Sequence, residues 1–265
     1  MNMEIIGYLA SALIGLSLGL IGGGGSILTL PVLVYLFGIS PVHGTAYSLF
    51  IVGLTSLVGT FPKYKQGLVN VKTGLIFGAP SIAAVYLTRK FIVPAIPDEL
   101  FTLGSFAITK NIMMMLLFAV LMVMASISMI RDKKSAAATK ENKGFNYPLI
   151  IVEGAVVGTL TGLVGAGGGF LIIPALVLLT GLPMKEAVGT SLMIIAAKSL
   201  IGFLGDLGQF EMDWILLSSV SAIAIGGLFA GNYLSQKIDG AQLKKGFGYF
   251  VLVMGIYILI KELFF

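Results

Sequence analysis

Twice in this chain an apolar stretch that would otherwise continue as helix is cut by glycine, in GLIGGGGSILTLP at residues 19–31 and in GLVGAGGGFLIIP at 162–174. An interior glycine costs a helix roughly 0.5–1 kcal/mol against alanine, so several together end it. The apolar runs that follow, 26–37 and 169–181, are short. At a rise of 1.5 Å per residue each would reach only about 18–20 Å, well under the hydrocarbon thickness of a bilayer. Joined to the run before it, the first would make a rod of about 50 Å, too long for one straight crossing. The chain must therefore break or turn at the glycines.

The surroundings of these breaks fix the solvent. Only 11% of residues are charged and mean hydropathy is +1.01, whereas soluble domains average about 25% charged residues. Apolar segments recur near 4–21, 26–37, 43–61, 69–88, 112–130, 147–164, 169–181, 187–204, 213–235 and 246–264. None shows the period-2 polarity of a lipid-facing strand. The expected fold is an all-α polytopic membrane protein of about eight transmembrane helices, in the cell (inner) membrane. MNMEIIGYLA lacks a basic start and reads as a retained first helix.

A shift of 143 residues lays the first glycine stretch over the second, with seven of 13 positions identical, and brings Ser56-Leu57-Val58-Gly59 onto Ser199-Leu200-Ile201-Gly202 and Gln66 onto Gln209. Gly44-Thr45 pairs with Gly189-Thr190 after a slip of two. Internal duplication of this kind is common in transporters. The expected organisation is a first repeat at 1–130 and a second at 147–265, each of four helices, joined by a linker at 131–146. The linker carries Arg131, Lys133, Lys134, Lys140 and Lys143 and is assigned to the cytoplasm by the positive-inside rule. Four crossings per repeat would make the halves parallel, with both termini cytoplasmic, and this is the preferred count. The loop charges pull the other way: 62–72 has Lys63, Lys65 and Lys72, while 205–213 has Asp206, Glu211 and Asp213. That reversal suits inverted repeats.

Unwound backbone at membrane depth is tolerated only where protein or a wet cavity surrounds it. A helix beginning just past each cluster would present unpartnered amides and the positive end of its dipole, a ready anion site. The candidate substrate-binding residues are accordingly Gly23, Gly24, Gly25 and Ser26 in the first half and Gly167, Gly168 and Gly169 in the second. Thr45 and Ser48, with Thr190 and Ser191, add hydroxyl donors. Lys198 lies within SLMIIAAKSLIGF, where a lysine costs about 2.5–3.5 kcal/mol to insert. It would supply counter-charge to an anion; snorkelling to an interface, or pairing with Asp206, are the other readings. Glu153, His43 and Tyr47 are weaker candidates. Isolated glycines such as Gly15/Gly19 and Gly154/Gly158 are read as helix-packing positions.

Other chemistries find no support. There is no cysteine and one histidine, His43, so neither a thiolate nor a histidine-cluster metal site is expected, and no cofactor. Neither cluster is followed by the lysine of a phosphate loop, and no triad or HExxH spacing occurs. The expected partners are a small anionic substrate and membrane lipid, with no nucleic acid and a possible homodimer; an enzyme is not expected.

GLIGGGGSILTLPVLVYLFGISPVHGTAYSLF and its echo GLVGAGGGFLIIPALVLLTGLPMKEAVGTSLMIIAAKSLIGF resemble the paired signature of the sulfite exporter TauE/SafE family of membrane permeases. The resemblance implies a transporter of small sulfur-containing anions such as sulfite or organosulfonates. An anion channel, or a carrier of another small anion such as a carboxylate, is the alternative. The family motif falls on Gly22 to Ser26, Pro31, Gly44 and Thr45, and on Gly165 to Gly169, Pro174, Gly189 and Thr190. Lys198 departs from it, which favours a strongly anionic substrate.

Overall fold

In the computed structural model, residues 2–23, 25–103, 106–131, 147–235 and 240–264 are described. The glycines end helices where the sequence requires it. Helix α1 (Asn2–Ile21) stops before Gly22, whose φ of +78° closes the turn, and α2 (Gly25–Pro31) continues through a π-helical turn, Val32–Leu36. Helix α3 (Pro41–Lys65) is followed by α4 (Val71–Leu87), a second π-helical turn (Thr88–Ile92) and the short α5 (Val93–Ala95). In the second half α7 (Tyr147–Val164) ends before Gly165, and α8 (Gly169–Thr180) starts after Gly168, left-handed at φ +72°. Helices α6 (Lys110–Arg131), α9 (Met184–Leu204), α10 (Trp214–Ser235) and α11 (Gly240–Phe264) complete the helical set.

Among the described residues six helices are long and apolar enough to cross a membrane: Glu4–Ile21, Pro41–Lys65, Val71–Ala95, Lys110–Arg131, Met184–Leu204 and Trp214–Ser235. One non-helical element departs from the all-α expectation. Strands β1 (Glu99–Leu103) and β2 (Phe106–Thr109) form an antiparallel hairpin, Phe101 opposite Ile108, in the connection before α6. In sequence a Gly-Ser turn dipeptide stands between two short runs rich in the strand-favouring Phe, Ile and Thr. Most of the linker, 132–146, lies outside the described residues.

Close approaches at glycine give each helix its direction. On α1, Gly15 abuts Ala224 and Leu228 while Gly19 abuts Leu228 and Asn232, so α1 and α10 run parallel. Gly25 meets Ile14 and Leu18, and Gly7 meets Phe37, so α2 folds back along α1. Gly53 meets Leu200 and Gly59 meets Leu192, which makes α3 and α9 antiparallel. Gly154, Gly158 and Gly162 follow Phe77, Ser81 and Thr88 in order, setting α7 parallel to α4. These contacts define two ends. Asn2, the 88–110 connection, the loop after α9 and Phe264 share the terminal end; the α3–α4 loop, Arg131 and Tyr147 share the linker end.

The parallel sense favoured by an even helix count is thus not what the neighbours show. Counterparts run oppositely: α1 and α3 travel from the terminal end to the linker end, α7 and α9 the reverse. The physical reason is that α2 and α8 each return toward their starting side, which gives each half an odd number of passes. The packing role read for Gly15, Gly19, Gly154 and Gly158 holds, since each faces a neighbouring helix backbone. Lipid offers little hydrophobic drive between helices, so such backbone approach carries the association. Apolar clusters fill the rest: Ile14, Leu18, Leu49 and Leu228 around α1, α3 and α10, and Val157, Ile172, Leu176 and Ile194 around α7, α8 and α9.

Candidate substrate site

The two breaks meet. A Cβ built on Gly23 would stand 2.5 Å from the carbonyl carbon of Gly169, and one on Gly169 would strike the Gly23 Cα. Only two glycines allow this approach. Because α2 and α8 run away from the contact in opposite directions, their N-termini face each other in the buried middle of the bundle. The first amides of a helix have no partner within it and carry its positive partial charge, so two such ends converge here.

Lys198 is fully buried beside them. Its Nζ donates to Thr161 Oγ1 at 2.9 Å, and Thr161 in turn donates to Val157 O at 2.7 Å. A Cβ on Gly168 would lie 2.7 Å from Nζ, so the bare left-handed glycine leaves the ammonium room. No carboxylate pairs with it among the described residues, where Asp206 is instead engaged by Arg89. Neither snorkelling nor pairing with Asp206 describes Lys198. A buried lysine amine with one hydroxyl partner has donors to spare.

The other candidates distribute around this centre. Ser26 Oγ donates to Gly23 O at 2.8 Å, with its Cβ against Gly167. Gly25 is buried against Ile14 and Leu18; Gly24 lies outside the described residues. Ser48 Oγ is buried without a partner among the described residues. Thr45 sits nearer the terminal end, donating to Val42 O at 2.7 Å and accepting from Arg89 Nη1 at 3.0 Å. Thr190 and Ser191 sit at the start of α9 toward the linker end, Thr190 accepting the Asn70 amide at 2.9 Å and Ser191 donating to Val188 O at 2.8 Å. The structure therefore gathers Gly23, Ser26, Gly167, Gly168, Gly169 and Lys198, and sets Thr45 and Thr190 at opposite rims. His43 bonds Ser40 and stacks edge-on against Phe210, away from the breaks.

Sequence reading missed Arg89. It is fully buried, and its Nε lies 2.9 and 2.8 Å from the Asp206 carboxylate oxygens, with Nη2 at 2.8 Å from Oδ2. Nη1 also donates to Gly162 O at 3.3 Å. Burial pushes the Asp206 carboxyl up from the usual carboxylate range, and the guanidinium opposes that. In sequence Arg89-Lys90 ends an apolar run and looks like an interface anchor; its signal was the acid at Asp206, in a loop just past Lys198.

Comparison with known proteins places this geometry. The chain is 27% identical over 262 residues to a probable membrane transporter protein of Xylella fastidiosa strain 9a5c, covering 94% of this chain and 92% of that one. It is 25% identical over 251 residues to the probable membrane transporter protein YdhB of Bacillus subtilis, covering 93% and 96%. A probable membrane transporter protein of Methanocaldococcus jannaschii, MJ0441, is 36% identical over 116 residues, 42% of this chain and 43% of that one. No solved structure gives a significant match. The family model described as sulfite exporter TauE/SafE matches residues 7–258, nearly the whole span over which the two broken-helix halves interlock, and the chain belongs to that family of membrane transporters.

Proposed function

We propose that the protein is a secondary transporter of small sulfur-containing oxyanions, such as sulfite or an organosulfonate, held where the two broken helices meet. One observation carries the reading: two helix N-termini face each other across Gly23 and Gly169 beside Lys198, a buried amine with no carboxylate partner among the described residues. A dense, multiply hydrogen-bonding anion suits that environment, because backbone amides and an ammonium each give charge-assisted bonds without side-chain bulk. The halves act as inverted repeats, each making an odd number of passes because its short helix runs back toward the side from which its first helix came, with the short helices meeting at the centre. Rocking one half against the other would expose the centre to each side in turn. Lys63, Lys65, Lys72 and Lys185 lie toward the linker end, which the positive-inside rule assigns to the cytoplasm of an inner-membrane protein. Asn2 and Phe264 then lie on the opposite side from the basic linker, the reverse of the cytoplasmic termini implied by an even count.

A thermal-shift screen of purified protein against sulfite, sulfate, thiosulfate, taurine, sulfoacetate and carboxylate controls tests the substrate class. A ligand stabilises the fold by mass action, so at about 100 times Kd the gain is roughly 2.7 kcal/mol. Stabilisation by sulfur oxyanions is expected. Stabilisation by carboxylates or cations alone would sink this proposal.

A further inference from the structure

Arg89 and Asp206 belong to different halves and meet at the terminal end, one short step above Lys198. The two buried basic side chains are held by consecutive residues of α7: Thr161 accepts from Lys198 at 2.9 Å, and Gly162 accepts from Arg89 at 3.3 Å. Around the pair the closure is dense. Thr45 of α3 accepts from Arg89, and Gln209 donates to the Arg89 carbonyl at 3.2 Å and to Gly205 O at 2.6 Å. The π-helical turn Thr88–Ile92 buries Thr88 and Arg89 while leaving Lys90 exposed. Such turns concentrate at functional positions.

The linker end is closed differently. There Thr190 accepts the Asn70 amide and Gly189 packs on the Leu68 carbonyl, both neutral contacts. A charged closure therefore exists at one rim alone among the described residues. A fully buried ion pair adds little stability over an apolar pair of similar volume, so stability by itself does not explain its presence.

We propose that the Arg89–Asp206 pair is the movable closure of the terminal end, joined when the site faces the linker end and separated when it opens to the terminal side. Opening would bare a guanidinium and a carboxylate at the mouth together. The proposal rests on the transport reading above, though not on which anion is carried.

The chain has no cysteine, so a single reporter can be read cleanly. Ser199, which follows Lys198 on α9 and is fully buried with its hydroxyl unpartnered among the described residues, is replaced (Ser199→Cys) in the full chain, reconstituted in liposomes of known orientation. Labelling by a membrane-impermeant maleimide is timed from each side. Arg89→Gln and Asp206→Asn are each expected to raise the rate from the terminal side by about tenfold or more, with no rise from the linker side. An unchanged terminal-side rate, or an equal rise from both sides, overturns the closure. If Arg89→Gln does not fold, Arg89→Lys keeps the charge but loses the planar fork, and the same one-sided rise is expected. This readout needs no bound anion, so its failure and the failure of the oxyanion reading are distinguishable.

Discussion

Asn70 and Asp213, 143 residues apart, perform the same two tasks at opposite ends of the molecule. Asn70 Oδ1 accepts the Thr73 amide at 3.0 Å to cap α4, and Asp213 Oδ1 accepts the Leu216 amide at 2.9 Å to cap α10. Each also donates its own amide across the boundary between halves: Asn70 to Thr190 Oγ1 at 2.9 Å, Asp213 to Tyr47 Oη at 2.8 Å. Tyr47 and Thr190 are themselves 143 residues apart. Duplication survives in the hydrogen bonds even where the side chains have diverged.

Removing either cap should therefore have the same size of effect. Asn70→Ala and Asp213→Ala are each expected to destabilise by about 1 kcal/mol. The two sites are remote from each other and share no partner, so the double variant should show the sum within roughly 0.5 kcal/mol. Thermal unfolding in detergent checks both.

The ammonium of Lys198 is predicted to serve ligand and not fold. Lys198→Met removes a buried charge while keeping much of the side-chain length, so thermal stability should hold or rise. Oxyanion binding should weaken by about 10–100-fold, the worth of a hydrogen bond to a charged group. Titration by thermal shift separates the two effects; a fall in stability with binding intact would contradict the assignment.

The glycine contact at the centre should tolerate nothing larger. Gly23→Ala and Gly169→Ala each drive a methyl into backbone of the other break, and an overpacking cost of about 1–3 kcal/mol or more is expected. Gly168→Ala meets Thr161 and Lys198 at a positive φ and should be as damaging. Gly226 provides the control. It lies inside α10 with nothing within 4 Å of an added Cβ, and Gly226→Ala should stabilise by about 0.5–1 kcal/mol.

The α1–α10 seam makes a further prediction. Gly15, Gly19, Gly227 and Gly231 bring the two backbones together. Gly227→Val should separate them and lower the unfolding temperature more than Gly226→Val, although the positions are adjacent. Differential scanning of the pair tests whether the seam is held by backbone approach.

Much of this was legible in residues alone because it rests on local chemistry. Glycine runs stop helices wherever they occur, and the short runs behind them could not cross a bilayer, so the breaks at Gly22 and Gly165 were readable directly. Lys198 was readable because a charge inside apolar helix has few acceptable surroundings. The direction of the halves was not, since each short helix had first to be counted as a return pass of its own. Arg89 was hidden for a different reason: its partner is 117 positions away, and a basic pair closing an apolar run signals an interface anchor equally well. The duplication did not help: where Tyr86-Leu87-Thr88-Arg89-Lys90 is laid over Tyr233-Leu234-Ser235-Gln236-Lys237, the counterpart of Arg89 is the neutral Gln236.

The Gly23–Gly169 crossing also has a mechanical meaning. Two bare glycine backbones pressed together carry no side chains that would have to unlock if one half were to tilt on the other. Such a joint resists compression but hardly rotation, like a bearing. On the transport reading proposed above, the speed of the cycle would then be set at the rims and not at this joint.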